Sequence, residues 1–408
     1  MCAALAQTTP TTPPLAAGSG ALQGTGITLA AAVEAAWSRA VSAREMHGQR
    51  QRALADRAVA AAPWAGPPVL GLSHRDDRLA SANGARETEV ALSWPLWLPG
   101  QRAVRAAIAD ADLVLADASG PAARLHLAGE VREVAWALVA LDADAAQRIS
   151  QRSTLQALAD DVDRRVRAGD LARADALAAR AEWMAATAQQ AELAQRLSSV
   201  RARWSLLTGL DALPRAADLA EPDRADGAPP PLETHPDAVA AQHAVAAARL
   251  RLERVRLSRR DAPEVTLRLL SSVPGRTESA STSVGIALRL PLGTEDRNQP
   301  LQAAALADLD LAQARAQRLR DQLQAEQTAA RNAVAAASAQ ADAEHARASL
   351  LRERADLVQK SFKAGETPLP DLLRVLSAAA QADASATRQH AAVGLARAQL
   401  QQAFGVSP

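Results

Sequence analysis

Cysteine is nearly absent: Cys2 is the only one in 408 residues, which excludes an internal disulfide framework and any cysteine-based zinc centre. Aromatics make up 2% of the chain, as seven Trp, two Phe (Phe362, Phe404) and no Tyr. A large aromatic-filled enzyme core is therefore not expected. An excess of one charge sign is also missing, since 46 Lys+Arg face 45 Asp+Glu for a net +1. A dedicated nucleic-acid binder carries a clustered basic excess. No apolar run approaches the roughly 18 residues of a transmembrane helix; the longest, Val134 to Leu141, is charged at both ends. Helical membrane spanning is excluded, but a membrane β-barrel is not, because its signal is alternation within short strands. Chemistry-bearing motifs are lacking as well. The His residues (47, 74, 126, 235, 243, 345, 390) show no paired metal-ligand spacing, and there is no P-loop, nucleotide-binding glycine pattern or G-x-S-x-G elbow. No enzyme activity, cofactor or metal site is expected.

What is present is alanine, which dominates a 48% hydrophobic share and favours helix while burying little area. Length alone suggests two or three globular units at roughly 150 residues each; closely packed long helices fit the composition better. Residues 1–26 form a leader. Ala4-Leu5-Ala6 before Gln7 has the small-x-small form of a signal-peptidase site, and an ordinary Ala-rich start is the other reading. Cys2 follows Met1 rather than a small residue, which disfavours a lipoprotein. Residues 7–26 are Thr/Pro/Gly-rich and expected to be extended.

The strongest signal is internal. RVRAGDLARADALAA at 165–179 aligns with SFKAGETPLPDLLRV at 361–375, pairing Gly169 with Gly365, Asp170 with Glu366, Asp175 with Asp371 and Leu177 with Leu373 at an offset of 196. Pro95 and Pro291, and Gly209 and Gly405, share that offset; Pro68 and Pro263 lie 195 apart, Val90 and Val284 194 apart. This is a tandem duplication, far longer than a solenoid repeat. The expected organisation is a leader (1–26), a first repeat (27–209), a linker (210–236) and a second repeat (237–408).

Residues 27–62 read as one helix stopped by Pro63, Pro67 and Pro68. Four strands follow in two hairpins, at 68–77 and 88–100 around Asn83-Gly84, and at 263–273 and 281–293 around Pro274-Gly275. Each is about the ten residues a tilted strand needs to cross a bilayer. Val90, Leu92, Trp94, Leu96 and Leu98 share one face of the second strand, and Val284, Ile286, Leu288, Leu290 and Leu292 one face of the fourth. Arg268 and Arg289 point the other way. Arginine needs water, so those two would line a lumen while Val90, Leu92, Trp94, Val284, Ile286 and Leu288 meet lipid. A water-soluble hairpin packed on a helix also alternates, and both readings are open. Trp94, near a strand end, fits an interfacial aromatic girdle. Four strands cannot close a barrel, and eight nearly fill their own interior, so a channel asks for three or more chains.

Long helical stretches, 101–165 with 171–207 and 300–362 with 369–404, flank the two Gly turns. Their length and heptad-like Leu/Val/Ala spacing mean antiparallel coiled coil. Pro121 is the one interior proline expected. Gly169 and Gly365 supply the positive-φ cap, and Asp170 and Glu366 offset the positive end of the returning helix.

The two-fold repeat, the proline-bounded hairpins and the paired tips RVRAGDLARADAL and SFKAGETPLPDLL resemble the TolC-like outer-membrane efflux proteins, over nearly all the chain from Ile27 to Val406. RRVRAGDLARADALAARAE, WSLLTGLDALP and SFKAGETPLPDLLRVL are most similar to the cobalt–zinc–cadmium components that serve resistance–nodulation–division (RND) pumps. The resemblance implies a mainly α fold: a periplasmic coiled-coil α-barrel joined to a trimeric 12-stranded outer-membrane β-barrel. It implies a homotrimer set in outer-membrane lipid, a periplasmic adaptor and an inner-membrane RND pump as partners, no nucleic acid, and passive conduction. By position, Arg165, Gly169, Asp175, Leu177, Gly365, Leu369, Asp371 and Leu373 would be adaptor contacts. Glu366 and Asp371 would be pore-gate candidates, since rings of acidic residues repel anions; for Asp175 and Asp371 a solvated helix-face carboxylate or cap is the plainer reading. A cytoplasmic Ala-rich coiled-coil scaffold, or the outer channel of a type I secretion or organic-drug efflux system, are the alternatives.

Overall fold

The computed structural model describes residues 27–77, 84–221, 229–275 and 279–408. The leader, with Cys2 and Ala4-Leu5-Ala6, lies outside the described residues, as do Asn83 and part of the expected linker. Along the chain run α1 (Leu29–Arg39), α2 (Val41–Ala61), β1 (Val69–Asp76), β2 (Arg86–Pro95), α3 (Gln101–Ala168), α4 (Arg173–Thr208), α5 (Pro236–Leu257), β3 (Glu264–Val273), β4 (Ser281–Arg289), α6 (Glu295–Lys363) and α7 (Leu369–Ala403). Two halves thus follow one order: leading helix, hairpin, very long helix, shorter returning helix.

The long helices have matched dimensions. α3 has 68 residues and α6 69, so each runs roughly 100 Å at 1.5 Å per residue; α4 and α7 have 36 and 35. Helices this thin bury mostly alanine, leaving no thick core. Both turns reverse at glycine: Gly169 has φ 89° and Gly365 φ 82°, a region closed to most side chains. There the Asp170 N–H bonds the Arg165 carbonyl at 2.9 Å and the Glu366 N–H the Ser361 carbonyl at 3.0 Å, satisfying the orphan carbonyls at each helix end.

Four expectations are corrected. The 27–62 helix is interrupted at Ala40, whose backbone is extended (φ −64°, ψ 137°). No Pro or Gly marks the break; packing makes it. α1 buries Leu29, Ala32, Val33 and Ala36 against α3 and α4, while α2 leaves that cluster and follows α3 towards the sheet. The second strand ends at Pro95 rather than 100. The Leu96 N–H reaches the Pro263 carbonyl at 2.7 Å and Leu98 is 5% exposed, so Leu98 plugs the sheet–helix junction instead of extending the apolar face. The fourth strand ends at Arg289, leaving Leu290 and Leu292 beyond it. Finally, α6 begins at Glu295, which places Pro300 inside the helix as its sixth residue, where it removes one i→i−4 hydrogen bond.

One antiparallel sheet holds all four strands in the order β1-β2-β3-β4. Its central pair, β2 with β3, joins the two halves of the chain, and β1 and β4 are edges. Near the middle of the helical frame, α1, α3 and α4 share a core built on Val131, Val134, Leu138 and the fully buried Trp204, whose Nε1–H donates to the Ala212 carbonyl at 3.1 Å. The short 3-10 turn Ala216–Leu219 closes over it with Leu219, 1% exposed.

Candidate functional site

The sheet register decides which side chains share a face, because directly paired residues lie on the same side. Leu70 pairs with Leu92, Leu92 with Leu267, and Leu267 with Ile286. One row down, Leu72, Val90, Leu269 and Val284 align; one row up, Trp94, Val265 and Leu288 do. The lipid-facing set expected from the sequence therefore occupies one continuous face. Much of it is uncovered: Leu70 is 70% exposed, Leu72 75%, Val284 70%, Ile286 78% and Leu288 59%. Among the described residues no helix covers it, so the hairpins there are not packed on a helix in the way the soluble reading requires. At the strand base Trp94 stacks on Trp64 with centroids 6.0 Å apart, and the Trp97 Nε1–H donates to the Ala62 carbonyl at 3.1 Å. Trp97 is thus a junction residue, while Trp64 joins Trp94 as an aromatic pair that the sequence did not reveal.

Whereas the Asp76–Arg86 pair falls on the apolar face at its loop end, the opposite face carries Ser93, Thr266, Gly71, Ala91, Gly285 and most of the charged residues. Arg268 and Arg289 both lie here, as expected. Arg268 Nε stands 3.4 Å from Glu89 Oε1, and Arg289 is directly opposite Glu264. Ser93 and Thr266 hydroxyls meet at 2.8 Å. Glu89 was not singled out from the sequence: its partnership with Arg268 depends on a register that no local pattern encodes.

At the far end of the helices the two turns come together. Val162, Ala176 and Ala179 of the first helical hairpin pack against Phe362, Leu369 and Leu372 of the second, and the Arg165 guanidinium sits 5.1 Å from the Phe362 ring centroid. The expected tip residues divide by exposure. Leu177 is 60% exposed, and Gly169, Gly365 and Glu366 are exposed. Leu369 is only 2% exposed; it shapes the tip from inside and presents no surface. Leu373 is half-buried against the same cluster. Asp175 accepts the Ala172 N–H at 3.1 Å, so its carboxylate caps α4. Of the gate candidates, Asp371 is paired with Arg374 at 2.8 Å, and Glu366 accepts from the Ser361 hydroxyl at 3.3 Å. The acidic charge of Asp371 is thereby partly neutralised in the protomer.

A third cluster, invisible in the sequence, lies at mid-height. Arg132, 1% exposed, donates Nε and Nη2 to the two carboxylate oxygens of Glu221 at 3.0 and 2.6 Å, Nη1 to Gln402 Oε1 at 2.5 Å, and Nη2 to the Val406 carbonyl at 2.9 Å. It clamps α3, the segment after α4 and the C-terminus together. Beside it, His126 Nε2 lies 3.0 Å from Asp237 Oδ1, while His235 Nδ1 accepts the Asp237 N–H at 3.2 Å. The hydrogen bond to Asp237 raises the His126 pKa, whereas burial lowers that of His235. Among the described residues no group of three or more His, Cys, Asp or Glu is arranged to hold a metal ion, and no helix is long and apolar enough to cross a membrane.

With these features in place, the solved structures decide the fold. The crystal structure of the Campylobacter jejuni CmeC outer membrane channel matches 98% of this chain and 93% of its own, at TM-score 0.74 and 14% identity. The fold is shared. The open state of the Neisseria gonorrhoeae MtrE outer membrane channel matches at 0.73, with 18% identity over 93% of this chain and 89% of that one. The outer membrane protein VceC from Vibrio cholerae matches at 0.72, with 16% identity over 93% and 96%. No protein-family model matches the sequence, and no curated protein matches it. The likeness therefore establishes the fold of the protomer over nearly the whole chain: a mainly helical frame joined to a small antiparallel sheet.

Proposed function

We propose that this chain is the outer-membrane exit duct of a tripartite RND efflux system, a passive conduit that carries heavy-metal cations out of the periplasm. The observation that carries the reading is the uncovered apolar face of the sheet. In its aligned rows Leu70, Leu72, Val90, Leu267, Leu269, Val284, Ile286 and Leu288 are each at least 38% exposed. Together they leave on the order of 1,000 Å² of apolar surface, beyond the few hundred Å² usual on a soluble monomer. Hydrocarbon removes that cost; water does not. The two open edges support closure with further copies: three chains of four strands make a 12-stranded barrel with no edge left, which lipid demands. Residues 27–209 and 237–408 act as the two structural repeats, with 210–236 as the equatorial linker. The fused tip, with Leu177 outward and the Gly169 and Gly365 turns at its end, is the docking point for the periplasmic adaptor. The heavy-metal cargo rests on the resemblance of the tip and LLTGL segments.

Membrane fractionation tests the location: a heat-modifiable trimer in the outer membrane is expected, and a soluble monomer in the cytoplasm would instead establish the scaffold reading. Cysteine at Leu177, crosslinked in cells carrying the neighbouring adaptor, should trap that adaptor, whereas cysteine at buried Leu369 should not. Deleting the gene should reduce tolerance to zinc, cobalt and cadmium; unchanged tolerance with increased sensitivity to organic drugs would reassign the cargo.

A further inference from the structure

The polar face of the sheet holds a regularity that the channel reading does not by itself require. Among its described residues the face carries three arginines, Arg75, Arg268 and Arg289, and three glutamates, Glu87, Glu89 and Glu264. Each arginine has a glutamate on a neighbouring strand. Arg75 is directly opposite Glu87, with Nη1 3.9 Å from Oε2. Arg268 lies 3.4 Å from Glu89 across β2 and β3, and Arg289 is directly opposite Glu264 across β3 and β4. Opposite charges therefore neighbour one another on this face: two rows hold both signs, and Glu89 and Arg268 stand alone in adjacent rows.

Arg268 occupies a distinctive row. Its direct neighbours are Ala91 and Gly285, with Gly71 beyond Ala91 in the same row, and a Cβ added at Gly285 would meet nothing within 4 Å. At that level the arginine is the one long side chain on the sheet, and among the described residues Glu89 is its ion-pair partner. Arg268 is 53% exposed at the side chain and Glu89 30%. A pair this wet adds little to stability, which leaves its electrostatic effect on the space it faces as its consequence.

We propose that the Glu89–Arg268 pair is the selectivity-setting element of the barrel lumen: as built it is charge-balanced and passes cations and anions alike, and loss of either member makes the barrel select by sign. The inference rests on the channel reading above. In a trimer, loss of Glu89 leaves three guanidiniums on small-residue rows, free to extend inward and favour anions. Loss of Arg268 leaves three carboxylates and favours cations, as charged rings do in other pores. Discrimination between cargoes would then fall to the pump.

The test is single-channel recording of purified trimer in planar bilayers under a KCl gradient, at about 0.1 M on the dilute side, where the Debye length of about 10 Å lets wall charge act. Wild type should show a K⁺/Cl⁻ permeability ratio near one. Glu89→Gln should lower it, and Arg268→Gln raise it, by about threefold or more. The double substitution should return it towards one, which also shows that altered folding is not the cause. Both shifts should shrink at about 1 M salt, where the Debye length is near 3 Å. Conducting variants whose ratio does not move, or a wild type already strongly selective, overturn the pair assignment alone. A heat-modifiable trimer that conducts nothing overturns it together with the channel reading.

Discussion

An arginine at position 267 separates a sheet that faces lipid from one that faces water. Leu267 lies in the inner strand β3, between Leu92 and Ile286, and is 42% exposed. Its neighbour in sequence, Arg268, shows that this strand accepts arginine on the opposite face without loss of pairing. If the apolar face meets hydrocarbon, Leu267→Arg puts a guanidinium near mid-bilayer at a cost of about 2–4 kcal/mol per copy. That corresponds to roughly a 30- to 1,000-fold shift in the insertion equilibrium of each protomer, and a three-fold assembly incurs it three times. If the face meets water instead, a substitution at a residue this exposed stays within about 0.5 kcal/mol, and solubility improves. The assay is the yield of heat-modifiable trimer in the outer-membrane fraction, with Leu267→Val as the volume control. Trimer near wild-type yield for Leu267→Val and nearly none for Leu267→Arg is expected. Leu267→Arg trimer at the wild-type level, with an unchanged urea midpoint, would refute the lipid-facing assignment.

Three further outcomes follow from the helical frame. Arg132→Met should cost about 3–5 kcal/mol, because Glu221 would be left as an uncompensated, largely buried charge; hydrogen exchange should accelerate over 216–221 and the last turn of α7, and adding Glu221→Leu should restore much of the loss. Gly394→Ala should destabilise by about 1–3 kcal/mol, since its new Cβ would fall 2.1 Å from Trp136 Cη2; a thermal melt checks this, and Trp136→Leu should relieve it. The two histidines at mid-height should oppose each other in pH. Burial depresses the His235 pKa, so its contribution is present above the ordinary histidine value of about 6.5 and lost as pH falls through the lower folded value. His126, raised chiefly by its hydrogen bond to Asp237, contributes below about 6.5, and that contribution is lost as pH rises through its folded value. Melting temperatures between pH 5 and 8 should show the acid-side decline flattened in His235→Asn and steepened in His126→Asn.

Features encoded locally were legible in the sequence. The turns at Gly169 and Gly365 were readable because a glycine that follows a long periodic run supplies the left-handed cap a helix end requires, and the helix ends fell within a few residues of them. Period-two alternation placed Ile286 and Arg268 on opposite faces, as the register has them. What escaped was set by tertiary packing. Nothing in the residues around Ala40 ends a helix; the break falls where α1, packed on both α3 and α4, gives way to α2, packed on α3. Leu98 and Leu369 have the hydrophobicity of surface anchors, but the junction and the fused tip bury them. The Arg132 clamp joins residues 89 and 274 positions apart, and Asp175 is used by its own helix end. Spacing in one sequence cannot report such partnerships.

The sheet order has a consequence for how the molecule comes into being. Each hairpin is a local structure, but the bond between Ser93 and Thr266 closes a separation of 173 residues. The middle of the sheet is therefore its least local part, and such pairings form late and slowly. Until α3, α4 and α5 have bundled and brought the second hairpin beside the first, β2 and β3 are two more open edges carrying apolar side chains. Nascent chains thus pass through a stage with four unpaired strand edges, the kind of species prone to aggregation. Slowing the bundling of the helices should harm yield more than an equal destabilisation of either hairpin turn.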